Sequence, residues 1–466
     1  MSTGTPDKLT PLDETDKTSL IDEVTSEDFP DESADTVEDE PLGPLGERKF
    51  GVSESKLLEL FTVCSSCSGA TNGSIKQILG TMVKIETECG FCRTIRKWDS
   101  QPMVGSIPAG NLALSAGILF TGSISAKALR MLEFMRVCHT SKATFILHQR
   151  NILYPAVERV WQNHQRKYVE KAKRSGKTLA LGGDGRSDTP GHCAKYGSYS
   201  MVDLDEGLVV DIQLIQSNEV KHSVNMEKEG LIRCVDWLKS EELDVSTVVT
   251  DRNMQIQKWI RENMSTTKHY YDVWHVAKVL KKKLLALSKT KDCEDVLGWI
   301  KSISNHLYWC AVSTPTGDGD VMWAKWLSVC SHIQNIHNGH DDLFPSCLHD
   351  GLTSREIKKK KWLHAGTKSC EKISDILTTV QMKKDVHKLS PKYQTSGIEA
   401  FHSTVNHFAP KMIGFSFHGM FCSSCGQRNS DVSAKKSPAP SYKLSVGSIS
   451  VFPEMFGKLS IILSLL

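Results

Sequence analysis

The chain has 466 residues, 39 % of them apolar, and a formal net charge of +3. That length is too great for one compact core and argues for two to four domains, while the apolar fraction is that of an ordinary soluble globular protein. The charge is unevenly placed: residues 1–50 hold 15 Asp+Glu and 4 Lys+Arg, a net of −11, which leaves +14 for the rest.

The acidic head, rich in Pro and Thr and almost without aromatics, buries too little apolar surface to fold, and residues 1–50 are read as disordered. The basic remainder suits a polyanionic partner. The acidic N-terminus lacks an apolar core, so no secretory signal is read there. The stretch from Ser445 to Leu466 is apolar in places but holds Pro453, Glu454 and Lys458, so no membrane partner is expected. With no export signal, the 14 cysteines read as thiols or metal ligands.

Residues 51–100 carry Cys64-x2-Cys67 and Cys89-x2-Cys92, separated by 21 residues. Two such pairs suit a tetrahedral four-cysteine Zn2+ site of structural type. The intervening "MVKIET" supplies the strand that a zinc ribbon needs, and Gly90 is expected to help the backbone turn around the metal. Lys84, Arg93, Arg96 and Lys97 put positive charge beside it, for contact with nucleic acid or with protein.

Residues 101–175 read as helical, with Pro155 in the first turn of the last helix. From 176 the pattern changes. "KTLALGGD" is strand-like; "AKYGSYSMVDLDEGLVVDIQLIQ" reads as two strands joined at Asp205-Glu206-Gly207. "MEKEGLIRCVDWLKSEEL" is an amphipathic helix with Leu231, Val235 and Leu238 inward. "STVVTD" is a short strand ending on Asp251. Asn253 caps a helix with Ile256, Trp259, Ile260 and Met264 inside. "KHYYD" is another strand, followed by a helix carrying Val276, Val279, Leu280, Leu284 and Leu287 on its apolar face. Strands alternating with helices predict an α/β layout for 176–290. Residues 291–390 read as a helical insertion, and one further helix, about Gly397 to His407, occupies 391–420. "CSSC" at Cys422 and Cys425 has no second pair nearby and is given little weight.

Two acids stand at strand ends, Asp184 and Asp251, where ligands of an α/β sheet sit. Carboxylates on neighbouring strands bind hard Mg2+ ions, and Glu399 at the start of the late helix is the third candidate. A two-metal site of this kind drives phosphodiester displacement. Gly182, Gly183 and Gly185 leave room for something to approach Asp184. Asp188 is a close rival, placed out on the turn; Asp184 is preferred because the apolar strand leads directly into it.

Together, "GDGRSDTPGHCAKYGSYS", "VVTDRN", "YYDVWHVAK" and "LSPKYQTSGIEAFHS" resemble a eukaryotic cut-and-paste DNA transposase of the DDE type, on the Kolobok, Mutator and hAT side of that group. The resemblance runs in order over about residues 60–420. It implies an RNase H-like catalytic domain interrupted by a helical insertion. It further implies Asp184, Asp251 and Glu399 as the catalytic acids holding two Mg2+ ions, and Asp272-Val273-Trp274-His275 as the C/D-x2-H element of such enzymes. Double-stranded DNA at transposon terminal repeats, a nuclear location and a homo-oligomer follow from the same likeness.

His275 is either a contact to a DNA phosphate or a packed histidine beside Trp274. Lys281, Lys282 and Lys283 either grip the DNA backbone or form a solvated face. "REIKKKKWLH" sets Lys358, Lys359, Lys360 and Lys361 beside Trp362, a phosphate-contact patch or part of a nuclear-import signal. His332, His337, His340, Cys347 and His349 are metal-ligand types whose spacing fits no motif, so they read as ordinary core or surface residues.

Past about Phe421 the match stops, and 421–466 reads as a divergent, polar and turn-rich tail of a C-terminally truncated or alternatively spliced chain. Two functions therefore stand side by side: an active metal-dependent transposase, or a catalytically inactive nuclear zinc-ribbon DNA-binding protein on the same scaffold. The intact acid trio favours the first, the divergent tail the second.

Overall fold

A computed structural model describes residues 43–190 and 193–425. The acidic head up to residue 42 and the tail beyond Cys425 lie outside the described residues.

After a short helix, Glu54–Glu59, strands β1 (Thr71–Leu79), β2 (Met82–Cys89) and β3 (Ile95–Asp99) pair antiparallel in that order. Phe61, Met82 and Ile85 are buried between this sheet and the chain before it, and the Phe61 ring lies 5.2 Å from that of Trp98. Helices α1 (Ala109–Phe120), α2 (Ser125–Phe134) and α3 (Lys142–His148) follow, and α3 runs through a π-turn, Gln149–Leu153, into α4 (Tyr154–Ser175). Pro155 occupies the first turn of α4, where its missing N–H costs nothing.

The main sheet is five-stranded and mixed. Its strands are β4 (Leu179–Ser187), β5 (Tyr196–Asp203), β6 (Leu208–Gln216), β7 (Val245–Thr250) and β8 (Lys268–Tyr271), in the order β8-β7-β4-β5-β6. β4 pairs antiparallel with β5, and β5 with β6; β7 runs parallel to β4, and β8 to β7. The β5–β6 turn falls where the sequence places it. Gly207 takes φ 68°, and Asp203 accepts from the backbone N–H groups of Asp205 and Glu206 at 2.9 and 3.0 Å.

Helix α5 (Met226–Ser240) crosses from β6 to β7, and α6 (Met254–Asn263) from β7 to β8. Leu231, Val235, Leu238, Ile256 and Ile260 cover one face of the sheet as their helical spacing demands. Asn253 caps α6, accepting from the N–H groups of Gln255 and Ile256. The other face is covered by α13 (Ser396–Phe408) and α14 (Phe417–Cys425) through Ile398, Phe401, Val405 and Met420. With both faces covered, β5 is buried along its whole length.

Helix α7 (Val273–Leu287) follows β8 and leads into α8 (Val296–Val312), α9 (Gly319–His332), α10 (Ser354–Lys359), α11 (Lys368–Leu377) and α12 (Val380–Val386). Their shared core includes Leu280, Leu284, Trp299, Ile303, Trp326 and Ile373. The chain then returns beside β8, where Tyr271 donates its N–H to Lys388 and its carbonyl accepts from Ser390 N at 2.9 Å.

Residues 291–390 are mostly helical, and strands β9 (Asn338–Asp341) and β10 (Phe344–Ser346) add a small hairpin after α9. Three expectations on the fold need correction. Val279 is 37 % exposed, because the inward line of α7 runs through Val276, Leu280 and Leu284. The tail does not turn polar at 421, since α14 continues through Cys422 and Cys425 and buries both against α4 and the sheet. Finally, β4 does not stop at Asp184. Its glycines stay extended, and pairing with β5 runs on to Ser187↔Gly197.

Candidate active site and metal centre

The four cysteines of the N-terminal module converge. Their sulfurs all lie within 4.8 Å of one another; Cys64 Sγ is 3.6 Å from Cys92 Sγ, and Cys67 Sγ 3.5 Å from Cys89 Sγ. A tetrahedral ion with Zn–S bonds of about 2.3 Å sets its sulfurs about 3.8 Å apart, so the group can hold a metal such as zinc. Each pair sits on a tight turn: Ser68 N donates to the Cys64 carbonyl and Arg93 N to that of Cys89, both at 3.0 Å.

Gly90 lies in the second of these turns without a left-handed φ. The left-handed residues are Ser68 (φ 56°) and Arg93 (φ 59°), each directly after the second cysteine of its pair. The flanking cations are largely engaged. Arg93 pairs with Glu88, Lys84 with Asp99 at 4.0 Å, and Arg96 lies over the Phe61 ring.

The acids meet on the main sheet. Register pairs Gly182 with Val249 across the parallel β4–β7 edge. Two residues on, in each strand direction, come Asp184 and Asp251, where β7 has ended and β4 continues. Asp251 Oδ1 accepts from Asn253 N at 2.9 Å. Burial pushes its carboxyl upward, and the charge of Asp184 adds to that rise while His275 opposes it.

Glu399 comes from the first turn of α13, and His402 stands one turn later. His402 Nδ1 is 3.3 Å from Asp184 Oδ2, and its Nε2 is 3.1 Å from Ser200 Oγ on β5. His275 Nε2 is 3.3 Å from Glu399 Oε1. Asp272 is wholly buried and accepts from Thr395 N, at the start of α13, at 3.5 Å. The two polar residues of the D-x2-H element therefore hold the acid-bearing helix at two points. His275 is 25 % exposed, so it keeps an edge toward solvent.

Asp184, Asp251 and Glu399 do not form a closed ligand set. Among the described residues, the groups whose ligating atoms lie within 4.8 Å of one another are the cysteine quartet and a cluster of His332, His337, Cys347 and His349. Glu399 and Asp184 each lean on a histidine instead. Each contact uses one carboxylate oxygen, Oδ2 of Asp184 and Oε1 of Glu399, so both pairs can persist when the trio meets a cation.

The glycines beside Asp184 serve packing rather than an open approach. A Cβ on Gly183 would stand 2.1 Å from the Tyr199 hydroxyl, one on Gly185 2.6 Å from Glu227 Cγ, and one on Gly182 2.9 Å from Ile398 Cδ1. Asp188 is not out on the turn in solvent. It is buried, accepts from Lys195 N at 3.1 Å, and its carbonyl accepts from Met412 N. A carboxylate so used holds the backbone after β4 in place.

Glu227 is the residue that sequence reasoning misses. It sits in the first turn of α5, a place where acids are common because the helix dipole favours them, so nothing in "MEKEG" marks it. Its Oε2 accepts from Asn253 Nδ2 at 3.0 Å. Burial first, then the charges of Asp251 and Asp184, push its carboxyl up to about 7 from 4.5. The buried Tyr199 phenol is raised by burial, and next by Glu227. His402 is likewise unmarked, although Glu399-x2-His402 is one helical turn.

The sign of the Glu227 shift gives a prediction. Below pH 4.5 the carboxyl is protonated whether folded or not. From about 4.5 to about 7 the unfolded chain ionises while the folded one holds its proton, so stability falls as pH rises and levels off above 7. Without divalent cations, Glu227→Gln should remove that slope and raise stability at pH 8 by about 3 kcal/mol. Urea midpoints at pH 5 and pH 8 check this; an unchanged difference between the two would count against it.

No protein-family model matches the chain, and no curated protein matches it. The site is therefore read from its own geometry.

Proposed function

We propose that the chain is a metal-dependent DNA transposase of the DDE type, with an RNase H-like core built on the five-stranded sheet. One observation carries the reading. The order β8-β7-β4-β5-β6, three strands antiparallel and two parallel, sets Asp184 and Asp251 side by side by register while α13 brings Glu399 over the same sheet.

All three side chains offer hard oxygen donors, as Mg2+ prefers, and the carboxyl of Asp251 is raised by burial first and then by the charge of Asp184. Asp184 and Asp251 would hold one ion, and Glu399 would help hold a second. Bound Mg2+ supplies activation of a water or a 3′-hydroxyl and stabilisation of the leaving oxygen. His275 positions Glu399 and presents its exposed edge to a flanking phosphate. His402 orients Asp184 from the covered side.

DNA is gripped by the exposed Lys281, Lys282 and Lys283 on α7, and by Lys358, Lys360 and Lys361 around α10. Lys361 is 3.9 Å from Asp295 but 90 % exposed, so that pair yields readily to a phosphate. The substrate is double-stranded DNA at transposon ends, paired by a homo-oligomer in the nucleus. Lys281, Lys282 and Lys283 changed together to Ala should weaken DNA binding and lower the slope of log affinity against log salt by about 2–3. Fluorescence anisotropy between low and moderate salt measures it, and an unaltered slope would remove α7 from the interface.

The experiment for the whole reading is strand nicking, with Mg2+, of DNA carrying inverted repeats that flank the gene. Cleavage at the repeat ends supports the enzyme. Tight binding of those ends without cleavage, even in Mn2+, supports the catalytically inactive DNA-binding protein instead.

A further inference from the structure

We propose that the helical region between β8 and α13 carries a structural zinc site of its own, made by His332, His337, Cys347 and His349. Their ligating atoms lie within 4.8 Å of one another. His332 ends α9, His337 lies in the turn after it, and Cys347 and His349 follow the β9–β10 hairpin. The spacing resembles no metal motif because the hairpin, not the sequence interval, brings the ligands together.

Hydrogen bonds at the far side of two rings decide how the near side is used. His337 Nε2 is 3.1 Å from Asn335 Oδ1, and His349 Nδ1 is 2.8 Å from the Asp350 carbonyl. Both partners are acceptors, so both of these nitrogens carry the ring proton. Rings so fixed turn His337 Nδ1 and His349 Nε2 toward each other, 3.2 Å apart. That spacing lets both nitrogens bind one shared cation. Outer acceptors of this kind are what orient metal-ligating histidines.

The other ligands fit the same ion. Cys347 Sγ is 3.6 Å from His332 Nδ1. Bonds of about 2.0–2.1 Å to nitrogen and 2.3 Å to sulfur, at tetrahedral angles, set ligand atoms about 3.3–3.6 Å apart. Three imidazoles and one thiolate complete four-coordination and leave no open position, so the site is structural rather than catalytic. His340 Nε2 stands 3.3 Å from Cys347 Sγ, outside the set, where it would donate to a zinc-bound thiolate.

The ion would pin one end of the basic stretch. Cys347 N donates to the His337 carbonyl and Leu363 N to the Ile333 carbonyl, each at 2.9 Å. The Trp362 ring lies 5.9 Å from the rings of both His332 and His337, and Lys360 Nζ stands 5.3 Å from that indole. Zinc here fixes where Lys358 to Lys361 leave the body, whatever they bind.

The test uses the full chain, equilibrated with Zn2+ and desalted, with metal content and X-ray absorption at the zinc edge as readouts. Two zinc ions per chain are expected, sharing five sulfur and three nitrogen ligands between them. His337→Ala with His349→Ala should lower the content to one ion with sulfur ligands alone, and Cys89→Ser should leave one ion of mixed nitrogen and sulfur ligation. A single all-sulfur zinc in the unaltered protein overturns the proposal even if neither variant folds.

Discussion

Asp184→Asn, Asp251→Asn and Glu399→Gln should each cut Mg2+-dependent strand cleavage by about 10³-fold or more while DNA affinity stays within a few-fold. Each change keeps the shape of the side chain and removes a negative charge from a site whose donors are all carboxylates. The three losses should not add, because each substitution disables the same unit. In the proposed function DNA binding rests on lysines elsewhere, on α7 and around α10, so it should survive.

Asp188→Asn is the internal control. Its carboxyl is buried and accepts from Lys195 N, so the change should cost about 1 kcal/mol of stability and leave the cleavage rate of the folded protein near that of the parent. Gel-resolved nicking and a denaturation curve on the same preparations separate the two effects. Loss of cleavage in the Asp188 variant with retention in Asp184→Asn would reassign the first acid.

The second large effect concerns the cysteine quartet. Structural zinc contributes about 10–16 kcal/mol in small modules at neutral pH, and residues 54–99 bury little apart from Phe61, Met82, Ile85 and the ligands Cys64 and Cys89. Cys89→Ser should therefore release its zinc and melt β1 to β3, while the main sheet, with its separate core, stays folded. Hydrogen exchange should show amides of β2 losing protection by orders of magnitude and those of β5 keeping theirs. Retained protection in β2 would mean that the apolar contacts suffice without metal.

The parts legible in the sequence are those set by local pattern. Leu231, Val235 and Leu238 face inward because the helical period says so, and Asp205-Glu206-Gly207 turns because Gly207 takes a left-handed φ. The paired x2 spacing of the cysteines announces their convergence. What stayed hidden depends on contacts between distant segments. The glycines around Asp184 look like clearance for a ligand, yet Tyr199, Glu227 and Ile398 fill that space, and each comes from another element. Glu227 looks like any first-turn acid until Asn253 and the two strand acids stand beside it. The histidine cluster has no readable spacing because a hairpin folds it together.

The most direct measurement of the central claim is anomalous scattering from Mn2+ in crystals of the protein bound to a DNA end. The expected result is a metal peak in contact with both Asp184 and Asp251 and a further one against Glu399, with His275 and His402 still beside those carboxylates. A DNA-bound structure at saturating Mn2+ with no peak at Asp184 or Asp251 would contradict it.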